Sequence, residues 1–197
     1  MKSLRHHFLL SALAASLVFA APASAGTSSV WEIAPVARAS APATCSAADT
    51  RPGDASEATL ARSAVCLINK QRARRGLRKL RLNARLSAAA RRHTLDMVKR
   101  NYFGHTSKSG TDVVDRLTRT GYMRGARAWT VGENLAWGSG TRSTPREIVA
   151  SWMQSPGHRA NILQRRFREI GIGVVFGAPQ GSNGPAATYT TTFGARK

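Results

Sequence analysis

Two histidines and one glutamate in the second half of the chain are the residues best suited to form a chemical site. His105 lies in an FGHT segment, Glu133 in a GEN segment, and His158 in a WMQSPGHRANIL segment. Imidazole and carboxylate are ligands of Zn²⁺, which commonly takes three protein ligands when one position stays open. The same groups also serve acid–base chemistry. Because the three residues lie far apart in the sequence, only folding can bring them together. Their spacing alone does not decide whether they share one site.

Other catalytic classes have weaker support in the sequence. There is no H-E-x-x-H or C-x-x-C metal motif and no G-x-S-x-G nucleophile elbow. Ser155 lies near His158, but it directly precedes Pro156, a combination typical of a helix start rather than of a nucleophile. Glu133 has no evident acidic partner for glycoside cleavage. Glu169, just before a predicted strand, is a candidate supporting residue that could approach it.

The first residues are typical of a secretory signal. Lys2 and Arg5 precede an apolar run over residues 8–20, and small residues at 23–25 suit a cleavage site. The apolar run is shorter than the roughly 20 residues that a membrane-spanning helix needs. We therefore predict a signal peptide over residues 1–25, with a retained anchor helix as the alternative. The mature chain should be secreted and soluble at the cell exterior, without a transmembrane segment.

Residues 26–55 are rich in Ala, Ser, Thr and Pro, which predicts a flexible leader. Trp31 and Ile33 are its only large apolar residues and are candidates for docking. The chain has two cysteines, Cys45 and Cys66. An even cysteine count in an exported protein favours a disulfide, which here would join the end of the leader to the first helix.

The chain is strongly basic, with a formal net charge of +20. Nine arginines and lysines fall within residues 72–92. This charge favours binding to polyanions such as cell-wall polymers or anionic lipid, although a solvated basic surface is an equal alternative. Aromatic residues do not alternate with the arginines, so a base-stacking surface for nucleic acid is not expected.

Helical periodicity and capping residues define most of the predicted helices. Asn83 and Thr144 are the expected N-caps of two of them. His93 lies on an apolar stripe, which favours a hydrogen-bonded core histidine over a ligand. Asp112 and Arg116 are expected to form an i,i+4 pair on an exposed helix face. The predicted helices span residues 56–74, 84–101 and 111–120, with two more beginning after 144 and 155.

Alternating apolar residues predict strands near the end of the chain. Residues 170–176 and 189–193 should form an antiparallel hairpin, and residues 130–137 could supply a third strand. The first of these strands should bury one face, and its glycines should allow another segment to approach closely. We predict one α+β domain over residues 56–197, with an antiparallel sheet of about three strands layered against helices.

The order of these pieces resembles the CAP superfamily of cysteine-rich secretory, venom-allergen and plant pathogenesis-related proteins. The bacterial secreted SCP-like branch is the most similar. The resemblance covers residues 64–194 and is specific because all of the pieces occur in order. They are residues 69–72 with 76–77, 90–97, 103–105, Arg116, 121–122, 132–136, 152–163, 171–173, 189–190 and 193–194.

The resemblance implies an α-β-α sandwich with a central cleft lined by two histidines and two glutamates. His105, Glu133 and His158 match three of these positions. The second family glutamate lies three residues after a tryptophan, where this chain has Ser155. That departure should weaken metal affinity, and Glu169 is a candidate to compensate. The resemblance also implies that one disulfide replaces the larger set of eukaryotic members.

Members of the family share no single reaction: some bind divalent metal, and others bind sterols or fatty acids. We therefore expect a monomeric, non-catalytic binding module for an anionic cell-wall polymer, a lipid or sterol, or a protein, with Zn²⁺ or another divalent metal as its candidate cofactor. One alternative is a metal-assisted hydrolase of peptide or cell-wall substrates. In it, His105 and His158 hold the metal and Glu133 acts as a ligand or general base. The other is an adhesin that binds polyanions by charge alone.

Overall fold

The computed structural model describes residues 44–197. The predicted signal peptide, most of the predicted leader, Trp31 and Ile33 lie outside this range. No helix within the described range is long and apolar enough to span a membrane.

The predicted helices are confirmed, and their ends follow from local capping. Ser56, Asn83 and Thr144 each accept a hydrogen bond from a first-turn backbone amide, which satisfies donors that a helix start leaves unpaired. Pro145 and Pro156 stand at the first positions of two consecutive helices. The helices are α1 (Glu57–Ala73), α2 (Ala84–Lys99), α3 (Val113–Arg119), α4 (Pro145–Gln154) and α5 (Pro156–Leu163), with a 3₁₀ turn at Gly140–Ser143.

The sheet has four strands in the order β1-β3-β4-β2, rather than the three that we predicted. Three strands form the expected antiparallel core, in which β4 pairs with both β2 and β3. The additional strand is only two residues long and runs parallel to β3. The strands are β1 (Arg81–Leu82), β2 (Trp129–Ser139), β3 (Glu169–Phe176) and β4 (Ala186–Arg196).

Helices cover both faces of the sheet, so the fold is the expected α+β sandwich. One buried cluster joins α1, α4 and α5 to β3 and β4 through residues such as Trp152 and Tyr189. A second, smaller cluster joins α2 and α3 through Leu86 and Leu117. Our expectation that β3 buries one face is wrong, because Ile170 through Val175 are all buried.

The glycines of β3 explain this two-sided burial. A Cβ added at Gly171 would overlap backbone atoms of Leu86 and Ser87, and one at Gly173 would overlap backbone atoms of Arg91. Helix α2 therefore lies directly against the strand backbone, as the glycine pattern predicted.

The disulfide between Cys45 and Cys66 is present, with the two Cα atoms 5.7 Å apart. It joins residues before α1 to the middle of α1. Ala48 is buried, and Asp49 forms a bidentate ion pair with Arg146 at 2.6 and 2.8 Å. Residues 44–55, the last part of the predicted leader, therefore pack against α1 and α4.

Candidate functional site

Glu133 lies in the middle of β2, opposite Thr192 of β4. Side chains of adjacent strand residues point to opposite faces of a sheet. Glu133 faces the layer of α2 and α3, where only 3% of its side chain is exposed. Asn134 faces α5, where its side chain donates to the carbonyl of His158 at 3.0 Å and accepts from Asn161 at 2.9 Å. Glu133 and Asn134 thus connect the same point of β2 to the helices on opposite faces of the sheet.

Arg116 of α3 is the partner of Glu133. Its Nη2 donates to both carboxylate oxygens, at 3.0 and 2.9 Å, and to the carbonyl of His105 at 2.9 Å. Its Nη1 donates to the carbonyl of Thr111 at 3.0 Å. An arginine remains charged in proteins, so Glu133 beside it is ionised.

This position of Arg116 corrects the sequence prediction of an exposed pair with Asp112. Arg116 is 8% exposed, and Asp112 instead forms a capping box with Asp115 at the start of α3. Sequence reasoning named Arg116 among the residues that resemble the family but missed its role as the partner of Glu133. The sequence feature that could have pointed to this role is Glu133. A carboxylate buried in a folded domain requires a cationic or hydrogen-bonding partner.

His105 completes the contact set of Glu133. Its Nδ1 lies 2.9 Å from Oε1 of Glu133, and its side chain is 60% exposed. An ionised carboxylate only accepts hydrogen bonds, so Nδ1 carries a proton. The other ring nitrogen, Nε2, then has a free lone pair when the imidazole is neutral, and it has no hydrogen-bond partner within residues 44–197. Glu133 thus fixes the tautomer and orientation of an accessible imidazole.

His158 of α5 lies in the same neighbourhood. Burial lowers the pKa of His158 below its ordinary value, and the charge of His105 lowers that pKa further. The carbonyl of His158 accepts from Asn134, the residue after Glu133, so the start of α5 meets β2 next to Glu133. We call the proposed ligand site of His105, Glu133 and His158 the histidine cleft.

The two candidate supporting residues have other roles. Ser155 is the half-buried N-cap residue of α5, and its side chain makes no capping hydrogen bond. Both carboxylate oxygens of Glu169 accept structural hydrogen bonds, from Asn83 at 2.9 Å and from Tyr122 at 2.8 Å. Glu169 therefore anchors the start of β3 to α2 and does not replace the missing family glutamate.

The donor set does not fit a zinc centre in which Glu133 is a ligand. Residues 44–197 contain no group of three or more His, Cys, Asp or Glu side chains placed to hold a metal ion. A cation beside Glu133 would also have to displace Arg116, whose guanidinium lies within 3.0 Å of both oxygens. Glu133 is instead an orienting group for His105, and zinc binding by the two imidazoles stays a prediction.

His93, the remaining histidine of the described residues, is a buried core residue, as its position on α2 predicted. It is 1% exposed, and its Nε2 lies 2.9 Å from the carbonyl oxygen of Gly104. Because a carbonyl only accepts, Nε2 carries the proton. This contact holds α2 against the segment that leads to His105.

Acidification should destabilise the protein through His93. Burial lowers the pKa of this imidazole below its unfolded value of about 6.5. Below that pH the unfolded chain protonates His93 more readily than the folded chain does. The stability gained from keeping His93 neutral is therefore complete above pH about 6.5 and is lost as the pH falls. We expect the melting temperature to drop more between pH about 7.5 and about 5.5 in the native protein than in His93→Gln. Equal drops in both proteins would contradict this role of His93.

Comparison with known proteins shows that residues 65–192 match the cysteine-rich secretory protein family. The Bacillus subtilis protein YkwD is 40% identical over 111 residues, and the membrane protein YlbC of the same organism is 33% identical over 108 residues. These alignments cover 56% and 55% of this chain but only 40% and 29% of the two relatives. The chain thus spans less than half the length of either relative.

Solved structures show the same fold. An extracellular protein with an SCP domain from Bacillus anthracis is 28% identical, with a TM-score of 0.53, over 70% of this chain and 40% of that protein. An outer surface protein of Borrelia burgdorferi is 19% identical, with a TM-score of 0.53, over 68% of this chain and 90% of that protein. The second likeness concerns the fold alone.

Proposed function

Because this chain belongs to the cysteine-rich secretory protein family, also called the CAP family, we propose that it is an exported binding module whose ligand contacts His105 and His158. The B. anthracis relative is an extracellular protein, which supports a role at the cell exterior. The ligand that we propose is a cell-wall polymer with anionic groups, since the protein carries a net charge of +20.

The contact between His105, Glu133 and Arg116 is the observation that carries this proposal. Glu133 is buried and holds Nδ1 of His105, and Arg116 binds both oxygens of Glu133. The imidazole is therefore oriented before any ligand arrives, which reduces the entropy lost on binding. Its free Nε2 accepts a ligand hydroxyl when the ring is neutral and donates to a ligand anion when the ring is protonated.

The contacts of Glu133 argue against the form of the hydrolase alternative in which Glu133 is the general base. A general base needs a carboxylate oxygen or an imidazole that is free to take a proton from water. Both oxygens of Glu133 are already paired with Arg116, and the described cysteines are joined in the disulfide. The hydrolase alternative therefore gains no support from the geometry of Glu133.

The double variant His105→Ala/His158→Ala should bind purified bacterial cell walls about tenfold less tightly or worse, because two oriented contacts are lost. The measurement is co-sedimentation at physiological salt, with circular dichroism to show that the variant is folded. Thr106→Ala/Gln154→Ala is the matched control, since both residues are exposed and lie near the two histidines in sequence. Equal retention of the histidine variant and this control would refute a role for the histidine cleft.

Three further arms identify the type of ligand. Walls stripped of anionic polymer should retain less protein if the ligand is anionic. Pretreatment with EDTA should leave retention unchanged if the imidazoles contact the wall directly, and should abolish it if a metal bridges them. Steep loss of retention with salt in both variants would instead indicate adhesion by charge alone.

A further inference from the structure

A depression lies between α2 and the segment that leads into α3, and Arg116 borders it. Its volume is about 330 Å³, at the lower end of the range of about 300–1,000 Å³ for small-molecule sites. Neither His105, Glu133 nor His158 lines it. We call it the arginine groove, and the residues that matter for its chemistry are Arg92, His93, Ser107, Ser109, Thr111 and Arg119.

Two of the arginines that line the groove are already paired with carboxylates. Arg116 is paired with Glu133. Asp96 accepts from Nε of Arg100 at 3.0 Å and from the hydroxyl of Tyr102 at 2.6 Å, so both of its oxygens are used. These pairs form part of the wall and add no net charge to it.

Arg92 of α2 and Arg119 of α3 supply the uncompensated charge. Both side chains are exposed, and neither makes a hydrogen bond or an ion pair within residues 44–197. The same two residues also line a neighbouring depression of about 320 Å³. Two free guanidinium groups that face one space favour an anion, and arginine matches the geometry of phosphate oxygens.

Three hydroxyl groups also line the arginine groove. Ser107 Oγ lies 3.0 Å from Ser109 Oγ, which lies 3.2 Å from Thr111 Oγ1, and the amide of Thr111 donates to Ser107 Oγ at 3.0 Å. This chain of contacts holds the hydroxyls in place. The two hydroxyl–hydroxyl contacts use two of the three hydroxyl protons, so one donor and several acceptor lone pairs remain for a polar ligand.

His93 forms part of the buried wall of the groove. His93 lines the groove and is 1% exposed, and its Nδ1 is buried without a partner within residues 44–197. Since Nε2 carries the proton that binds Gly104, Nδ1 of the neutral ring is an acceptor. Nδ1 is closed off from solvent, so it belongs to the wall of the groove and not to the surface that a ligand contacts.

From these contacts we infer that the arginine groove binds a phosphate ester that also carries free hydroxyls, such as a polyol phosphate. The phosphate group lies between Arg92 and Arg119. The serine and threonine hydroxyls contact the remaining polar atoms. Because the guanidiniums border two depressions, the groove also admits one unit of a longer phosphodiester chain. This site is separate from the histidine cleft.

The experiment is a calorimetric titration of the folded protein with glycerol 3-phosphate, inorganic phosphate and glycerol in turn. Glycerol 3-phosphate should bind saturably and more tightly than phosphate, and glycerol should not bind. Arg92→Gln/Arg119→Gln should weaken the binding of glycerol 3-phosphate by about tenfold or more, because two charge-assisted contacts are lost. No saturable binding by the native protein, or phosphate binding as tightly as glycerol 3-phosphate, would overturn the proposal.

The matched control is Arg127→Gln/Arg166→Gln, which removes the same charge from two exposed arginines that do not line the groove. Equal weakening in both double variants would show that only overall charge matters and would refute the site. The variant His105→Ala/His158→Ala should bind glycerol 3-phosphate like the native protein. This result would separate failure of the proposed phosphate site from failure of the proposed function of the histidine cleft.

Discussion

Arg116→Ala is expected to destabilise the protein by about 3–5 kcal/mol, because removing one partner of a buried ion pair leaves the other charge uncompensated. Glu133 would keep only His105 as a partner, although the Glu133 side chain is just 3% exposed. Arg116 also donates to the carbonyls of His105 and Thr111, so the segment between α2 and α3 would lose two anchors. Urea denaturation of the native protein and the variant measures the change.

A double-mutant cycle tests whether the uncompensated charge causes the loss. Arg116→Ala/Glu133→Gln should be more stable than Arg116→Ala alone, since the buried charge is then absent. Arg119→Ala is the control on the same helix: its side chain is exposed and unpaired within the described range, so its effect should stay within about 0.5 kcal/mol. If the two substitutions at 116 and 133 are additive, the pair does not act as a unit.

The pairing of Arg116 with Glu133 also marks the limit of sequence reasoning at the site. The types and spacing of His105 and Glu133 left a shared site open, and the family resemblance implied that both line one cleft. The structure places the two side chains in contact. The role of Arg116 was not predicted, because the i,i+4 spacing with Asp112 is a local signal that favours an exposed pair. The buried position of Arg116 depends on β2, which folds against α3 through contacts that no local pattern contains.

The same distinction between local and distant signals separates the correct and incorrect fold predictions. Asn83 and Thr144 cap their helices through amides at most three residues away, so the sequence predicts them well. Strand β1 is two residues long and pairs with Glu169 and Ile170, nearly ninety positions later. Such a strand has no periodicity of its own. Likewise, Glu169 lies near the cleft residues in the sequence, yet its carboxylate is held by Asn83 and Tyr122.

Gly171→Ala is the second change with a large expected effect, and here two physical effects have opposite signs. Replacing a strand glycine with alanine lowers the entropy of the unfolded chain, which favours folding by about 0.4–1 kcal/mol. The new methyl group would, however, overlap the backbone of Leu86 and Ser87. Backbone atoms cannot rotate away as a side chain can, so α2 must shift off β3. Overpacking of this kind costs about 1–3 kcal/mol and occasionally more.

We therefore expect Gly171→Ala to unfold at a lower urea concentration, with a net loss of about 2 kcal/mol or more. Gly157→Ala is the matched control, because a Cβ at Gly157 would meet nothing within 4 Å and the residue lies in α5. Helix propensity predicts that this control is unchanged or stabilised by up to about 1 kcal/mol. A stabilised Gly171→Ala would mean that α2 does not press on the strand. In that case α2 could move away from β3 without loss of stability. Because α2 carries His93 and Arg92, the shape of the arginine groove would then not be fixed by this contact.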